Sequence, residues 1–187
     1  MKGKLLFAAM MVASFSASAA EHAHWGYEGQ EDPAHWGKLS PDFSLCETGK
    51  NQSPVNIHGA LKTHHGQLEL NFQPGKQQIV NNGHTIQINT SAGNTLKLDG
   101  DTFTLQQFHF HAPSENEIDG NQFPLDAHFV YKDNKGELVV LALMFQQGKT
   151  NSQLVPVWRQ MPTAIDQLAI LSSPVDINAL LPKQFNF

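Results

Sequence analysis

Cysteine is nearly absent from this chain, because Cys46 is the single cysteine among 187 residues. Intrachain disulfides are therefore excluded, and an odd cysteine in an exported chain is either a free thiol or one that lacks its partner. Positive charge is also scarce, with 12 Lys and Arg against 17 Asp and Glu and a formal net charge of -5. This balance lacks the basic excess of nucleic-acid-binding proteins, so nucleic acid is not an expected partner.

Apolar runs long enough to span a bilayer are missing as well. The N-terminus has Lys2 and Lys4, a short apolar run at residues 5–12, and small residues at 17–20. This pattern predicts a secretory signal peptide over residues 1–20, followed by a mature chain with no membrane span. We therefore expect a periplasmic or secreted protein.

Short apolar or alternating segments separated by turn formers predict a mostly β (α+β) domain over residues 21–187. The predicted strands cover residues 85–89, 95–98, 102–111, 125–131 and 138–145. The last of these is uniformly apolar, which favours a central strand buried on both faces. Only residues 151–161 favour a helix, which Pro156 keeps short. The sequence thus predicts a single domain with one central, mainly antiparallel twisted sheet and few short helices, preceded by loops packed by Trp25 and Trp36.

Three of the ten histidines have a spacing that suits a metal site. His109 and His111 lie two residues apart in a predicted strand, so they share one face. Leu105 and Gln107 are expected on that face as well. His128 lies in the next strand and completes the set if the two strands pair as antiparallel neighbours. Three imidazoles with an open fourth position are the ligands of catalytic Zn²⁺, so we predict zinc as the cofactor.

Two polar residues are placed to orient these rings. Gln107 and Asp126 each lie two residues before a predicted ligand and can accept a hydrogen bond from the ring nitrogen that does not bind metal. An alternative resembles the metal motif of cupins, in which His109-x-His111 is followed by Glu115 as a ligand. The glycine spacing of that motif is not met, and no histidine follows His128 to serve as the fourth ligand.

Several ordered motifs resemble those of the α-class carbonic anhydrases, in particular the exported bacterial type. The segment QFHFH at 107–111, followed by PSE at 113–115, resembles the zinc-site signature of that family. Further matching motifs are HWGY at 24–27, QSPVNI at 52–57, NNGH at 81–84, DAH at 126–128 and LLP at 180–182. The resemblance covers almost the whole mature chain.

The resemblance implies a zinc-dependent lyase that reversibly hydrates CO₂ to bicarbonate and a proton through attack by zinc-bound hydroxide. CO₂ and bicarbonate are then the small-molecule partners. The implied roles are zinc ligands for His109, His111 and His128, proton shuttle for His84, catalytic carboxylate for Glu115, apolar CO₂ pocket for Val130 and Val140, and polar cavity for Tyr27, Asn82 and Gln87.

The chain also departs from the family pattern. Asp126 stands where the family usually has glutamate, which is one methylene longer. The family domain continues beyond the motif at 180–182, so we expect a missing C-terminal part with the threonine that Glu115 orients and a cysteine to partner Cys46. The alternative function is therefore a weakly active or inactive zinc-binding relative, a non-enzymatic binding protein.

Overall fold

A computed structural model describes residues 24–60 and 68–182, so the predicted signal peptide lies outside the described residues. The chain forms two compact units, Met1–Lys50 and Asn51–Phe187. Within the described ranges, no helix combines the length and apolar character needed to cross a membrane.

Short helical turns around two tryptophans make up the first unit. It contains 3-10 turns at Gly29–Glu31 and Pro41–Phe43, and helices α1 (Trp36–Leu39) and α2 (Leu45–Thr48). The rings of Trp25 and Trp36 meet edge to face with centroids 5.0 Å apart. Trp36 Nε1 donates to the carbonyl oxygens of Gly26, at 2.9 Å, and Glu31, at 2.8 Å. The predicted packing by Trp25 and Trp36 is thus confirmed, and Cys46 in α2 is exposed.

The second unit is mostly β, as predicted. Its strands are β1 (Asn56–Ile57), β2 (Glu69–Asn71), β3 (Gln77–Asn81), β4 (Ile86–Thr90), β5 (Thr95–Leu98), β6 (Asp101–His111), β7 (Glu117–Ile118), β8 (Asn121–Gln122), β9 (Leu125–Lys132), β10 (Leu138–Phe145) and β11 (Leu168–Ile170). Its short helices are α3 (Val155–Arg159) and α4 (Ile177–Leu180). The main sheet is antiparallel in the order β10-β9-β6-β4-β3-β11, with β5 joining β6 to β2, while β1, β7 and β8 form a small second sheet.

One face of the main sheet is the hydrophobic core. Alternate residues of β6 and β9 point into it, among them Phe108, Phe110 and Phe129, all of which are buried. Phe108 and Phe129 are paired across the two strands, and their rings stack with centroids 5.0 Å apart. Val157 of α3 belongs to the same buried cluster. Because these side chains occupy the core face, the residues between them on β6 and β9 point to the opposite face, where the histidines lie.

A β-bulge at Gln106 changes which residues of β6 share a face. The β6–β9 register shifts between Leu105 and Gln107, so Gln106 is an extra residue in the ladder. Leu105 is only 3% exposed and belongs to the core. The prediction that Leu105 lies on the histidine face is therefore wrong, because one inserted residue reverses the two-residue alternation on its N-terminal side.

Strand β10 has the predicted bounds but a different place in the sheet. It pairs with β9 along its whole length and stands at the end of the strand order of the described residues. Leu138 is 63% exposed and Val140 is 48% exposed. The prediction of a central strand buried on both faces is wrong for the described residues, because an apolar run does not specify how many neighbours a strand has.

Candidate metal centre

Strands β6 and β9 bring three histidines together. His109 and His128 are directly opposite in the antiparallel register, and His111 lies two residues after His109 on the same face. One nitrogen of each ring lies within 4.8 Å of one nitrogen of each of the others. The predicted antiparallel pairing is therefore confirmed, and it brings the rings together as a shared metal ion would require.

Each ring has one nitrogen held by a neighbouring oxygen. Nδ1 of His109 lies 2.8 Å from Oε1 of Gln107. Nδ1 of His111 lies 2.9 Å from Oδ1 of Asp126, and Nε2 of His128 lies 3.1 Å from Oδ2 of the same carboxylate. The nitrogens left over are Nε2 of His109, Nε2 of His111 and Nδ1 of His128. This donor set fits a zinc ion, which takes three neutral imidazoles whose other nitrogens are oriented by acceptors.

The electrostatics of the cluster favour neutral histidine and ionised aspartate. Burial, together with repulsion from the neighbouring His111 and His128, lowers the pKa of His109 to about 4. Burial raises the pKa of Asp126, but hydrogen bonds from His111 and His128 outweigh that effect and hold it well below its usual value. At neutral pH His109 therefore offers a lone pair, while Asp126 acts only as a hydrogen-bond acceptor.

Two residues of the loop between β6 and β7 also reach the cluster. Oε2 of Glu115 lies 3.4 Å from Nε2 of His111 and 3.7 Å from Nδ1 of His128. The backbone N–H of Glu115 donates to Oδ2 of Asp126 at 3.0 Å. Nδ2 of Asn116 lies 3.1 Å from Nε2 of His128. Asn116 was not among the predicted site residues, because a single asparagine in a turn-rich segment gives no periodic signal.

The strand registers arrange the histidine face in two rows across six strands. From β10 to β11, one row is Ala142, His128, His109, Gln87, Val80 and Leu168. The row beside it is Val140, Val130, Gln107, Asn89, Gln78 and Ile170. Within their own row, His128 and His109 lie between Ala142 of β10 and Gln87 of β4, the predicted cavity residue. Val130 and Val140, the predicted apolar wall, are paired in the row beside them.

The turn between β3 and β4 carries His84. Oδ1 of Asn82 accepts from the backbone N–H of His84, at 3.0 Å, and of Thr85, at 2.9 Å. Nδ2 of Asn82 donates to Oε1 of Gln87 at 3.2 Å. Gly83 has φ +88°, a conformation that glycine adopts without strain. Asn82 therefore fixes the turn onto β4, and His84 is exposed on it.

Tyr27, the remaining predicted cavity residue, belongs to the first unit. Its ring meets those of Trp25 and Trp36 edge to face, with centroid distances of 5.8 and 5.7 Å. Its side chain is 46% exposed. A role for Tyr27 in a polar cavity stays a prediction.

Comparisons with known proteins identify a family with this fold. The family model for eukaryotic-type carbonic anhydrase matches residues 31–187. The carbonic anhydrase of Pectobacterium carotovorum is 65% identical over 187 residues, which cover 100% of this chain and 77% of that protein. The carbonic anhydrase of Neisseria gonorrhoeae is 47% identical over 176 residues, which cover 93% of this chain and 69% of that protein.

A solved structure is similar over most of the chain. The α-carbonic anhydrase from Thermovibrio ammonificans, in complex with the inhibitor sulfanilamide, matches with a TM-score of 0.83 and 42% identity. The match covers 87% of this chain and 73% of that one. These similarities overturn the cupin alternative for the histidine motif. The chain therefore belongs to the eukaryotic-type, or α, carbonic anhydrase family.

Proposed function

We propose that this chain catalyses the reversible hydration of CO₂ to bicarbonate and a proton, with one zinc ion held by His109, His111 and His128. The observation that carries the proposal is the convergence of three ring nitrogens within 4.8 Å. When bound, zinc supplies Lewis-acid activation of water at neutral pH, a property for which carbonic anhydrases themselves are the standard example.

The reaction involves apolar CO₂ and charged protons, and the two sides of the histidine cluster differ in polarity in the same way. CO₂ is apolar, and Val130 and Val140 form an adjacent pair beside the row that contains the histidines. Protons need polar groups, and the amides of Asn82 and Gln87 lie on the β4 side. We assign CO₂ binding to the valines and water binding to the amides.

Two further residues complete the proposed site. His84 is exposed on the turn beside Asn82, and imidazole is the side chain best suited to exchange protons near neutral pH, so we assign it proton transfer to solvent. Glu115 lies close enough to His111 and His128 to accept a hydrogen bond from a group beside the metal, so we assign it the orienting carboxylate.

The test is zinc content together with CO₂ hydration. The full chain should hold one zinc ion, and His111→Ala should lose most of its zinc and its stopped-flow activity because one of three ligands is removed. His58→Ala is the matched control, since the His58 side chain is 65% exposed and lies outside the histidine cluster. Equal zinc content in the wild type and His111→Ala would contradict the proposal.

We further propose that the chain is exported and cleaved near Ala20, which the lysines and the apolar run of residues 2–12 support. Expression in a Gram-negative host should yield a periplasmic protein whose N-terminus lies close to Glu21. N-terminal sequencing after osmotic-shock fractionation measures both points. An intact Met1 on cytoplasmic protein alone would contradict this location.

A further inference from the structure

The turn that carries His84 is held from inside by the side chain of Asn82. Oδ1 of Asn82 accepts the backbone N–H of His84 at 3.0 Å and that of Thr85 at 2.9 Å. Backbone N–H groups only donate, so they must meet the oxygen of the Asn82 amide and not its nitrogen. The main chain therefore fixes which way this amide faces, with Nδ2 directed toward β4.

Two amides of β4 continue this arrangement. Nδ2 of Asn82 donates to Oε1 of Gln87 at 3.2 Å. Because the oxygen of Gln87 is thereby engaged, its nitrogen faces the other way, and Nε2 donates to Oδ1 of Asn89 at 2.7 Å. Gln87 and Asn89 lie two residues apart in β4, so both are on the histidine face. Asn82, Gln87 and Asn89 thus form one amide network, in which each member donates to the next.

Asn89 supplies the terminal acceptor of the amide network. All three amides are half-buried. An apolar residue at position 89 would leave Nε2 of Gln87 without its partner at a place where water replaces it only in part. Hydrogen bonds in one network strengthen each other, so the weakening at Gln87 would be passed to Asn82 and to the turn.

We infer that Asn89 is a positioning residue, which acts through Gln87 and Asn82 to hold the turn that carries His84. Its role is to restrict the positions open to the imidazole of His84. Such a restriction matters because misplacement of a reacting group by about 1 Å can cost roughly a hundredfold in rate. The inference rests on the proposed function in taking His84 as the proton carrier.

The turn also has anchors outside the amide network. Oδ1 of Asn81 accepts the backbone N–H of Gly83 at 3.0 Å. Oγ1 of Thr85 donates to the carbonyl oxygen of Phe110 at 2.5 Å. A variant of Asn89 should therefore keep the fold of the turn and loosen only its interior.

The test compares Asn89→Leu with the matched control Gln78→Leu in the zinc-loaded full chain. Gln78 lies directly opposite Asn89 on β3 and is not part of the amide network. Nuclear magnetic resonance should show that the backbone N–H groups of His84 and Thr85 exchange with water about two- to tenfold faster in Asn89→Leu, the change that loss of one hydrogen bond produces. Gln78→Leu should leave both rates unchanged, and Asn89→Asp should do so as well because it keeps the acceptor.

CO₂ hydration shows whether the effect acts through His84. Turnover of Asn89→Leu in weak buffer should fall by about two- to tenfold and return on addition of imidazole. The value of kcat/KM for CO₂ should stay unchanged, because attack on CO₂ does not need the proton carrier. In a His84→Ala background, Asn89→Leu should cause no further loss, because the residue through which it acts is already gone. A purely structural role would instead lower kcat/KM together with turnover.

A further measurement does not depend on the folding of any variant. In the wild type, the side-chain N–H₂ protons of Gln87 should exchange with water more slowly than those of Gln78, because Nε2 of Gln87 donates to Asn89. Equal exchange rates of the two side chains would overturn the inference.

Other outcomes would overturn it as well. They are unchanged exchange at His84 and Thr85 in Asn89→Leu, an equal acceleration in Gln78→Leu, or a loss of turnover that persists in the His84→Ala background. If His84→Ala alone leaves turnover unchanged, the proposed role of His84 fails instead, and the exchange rates still decide whether Asn89 holds the turn. The two failures are therefore distinguishable.

Discussion

At the scale of single residues, Tyr131 buries an aromatic ring, which stabilises the core, together with a hydroxyl group, which costs free energy to bury. The side chain is 0% exposed in the core, and its hydroxyl has no hydrogen-bond partner among the described residues. Burial raises its pKa well above the ordinary value for tyrosine, because the phenolate would be charged in an apolar environment. The native structure therefore tolerates an unsatisfied polar group at this position.

Tyr131→Phe should consequently raise the free energy of unfolding at pH 7 by about 1–3 kcal/mol, the usual penalty of a buried unsatisfied hydroxyl. The wild type should also lose stability above about pH 10, because the unfolded state releases the Tyr131 proton there while the folded state retains it. That loss should be smaller in the variant. Urea unfolding at pH 7 and above pH 10 measures both effects, and an unchanged midpoint at pH 7 would contradict the first.

His84 carries a prediction about proton transfer. His84→Ala should slow CO₂ hydration in weak buffer by about a hundredfold, the lower end of the range for a positioned acid–base group. Added imidazole should restore most of the rate, because it supplies the missing proton carrier. His58→Ala again serves as the control, and unchanged turnover of His84→Ala in weak buffer would remove His84 from the mechanism.

The sequence alone is enough to predict contacts between side chains that belong to the same strand. Gln107 lies two residues before His109, so two-residue alternation is enough to predict their contact, which the structure contains. The contact between Asp126 and His111 depends instead on the register between two strands. Alternation within either strand does not specify that register, so this contact could not be predicted.

At the scale of secondary-structure elements, the bulge in β6 allows the apolar residues before it and after it to lie on the same, core-facing side of the sheet. Phe103 and Leu105 precede it and Phe108 follows it, and all three are in the core. The adjacent polar pair Gln106-Gln107 interrupts the apolar alternation, and this interruption is the sequence signal from which the bulge could have been inferred. The order of the strands in the sheet has no comparable signal, because alternation describes faces and not neighbours.

Deletion of Gln106 should leave the zinc site in place. Without the extra residue, Leu105 and Gln107 become neighbours in a regular ladder, with Leu105 still in the core and Gln107 still on the histidine face. We expect full zinc content, with a change of thermal midpoint as the main effect. Elemental analysis and circular dichroism measure these quantities, and loss of zinc would mean that the bulge itself positions the ligands.

At the scale of the whole molecule, the core and the candidate metal centre belong to the second unit. The buried cluster runs from Ile79 to Leu180, and the three histidines lie within this range. The first unit has its own tryptophan cluster, around Trp25 and Trp36. Each unit thus has a packing centre of its own.

A chain of residues 51–187 should therefore fold cooperatively and bind zinc without the first unit. The expected result is a single unfolding transition and the same zinc content as the full chain, because no core side chain and no proposed ligand is removed. Urea denaturation and elemental analysis, each with the full chain alongside, provide the measurement. Failure of residues 51–187 to bind zinc would show that the first unit is required for the site.

The pairing of His109 with His128 also relates the formation of the sheet to the uptake of the proposed metal ion. Their spacing is set by backbone hydrogen bonds between β6 and β9, so formation of the sheet itself brings the rings together. Zinc bound at the proposed site would add stability according to its concentration relative to its dissociation constant, instead of driving folding as it does in zinc fingers. Formation of the sheet and uptake of the proposed zinc ion are then two separate steps.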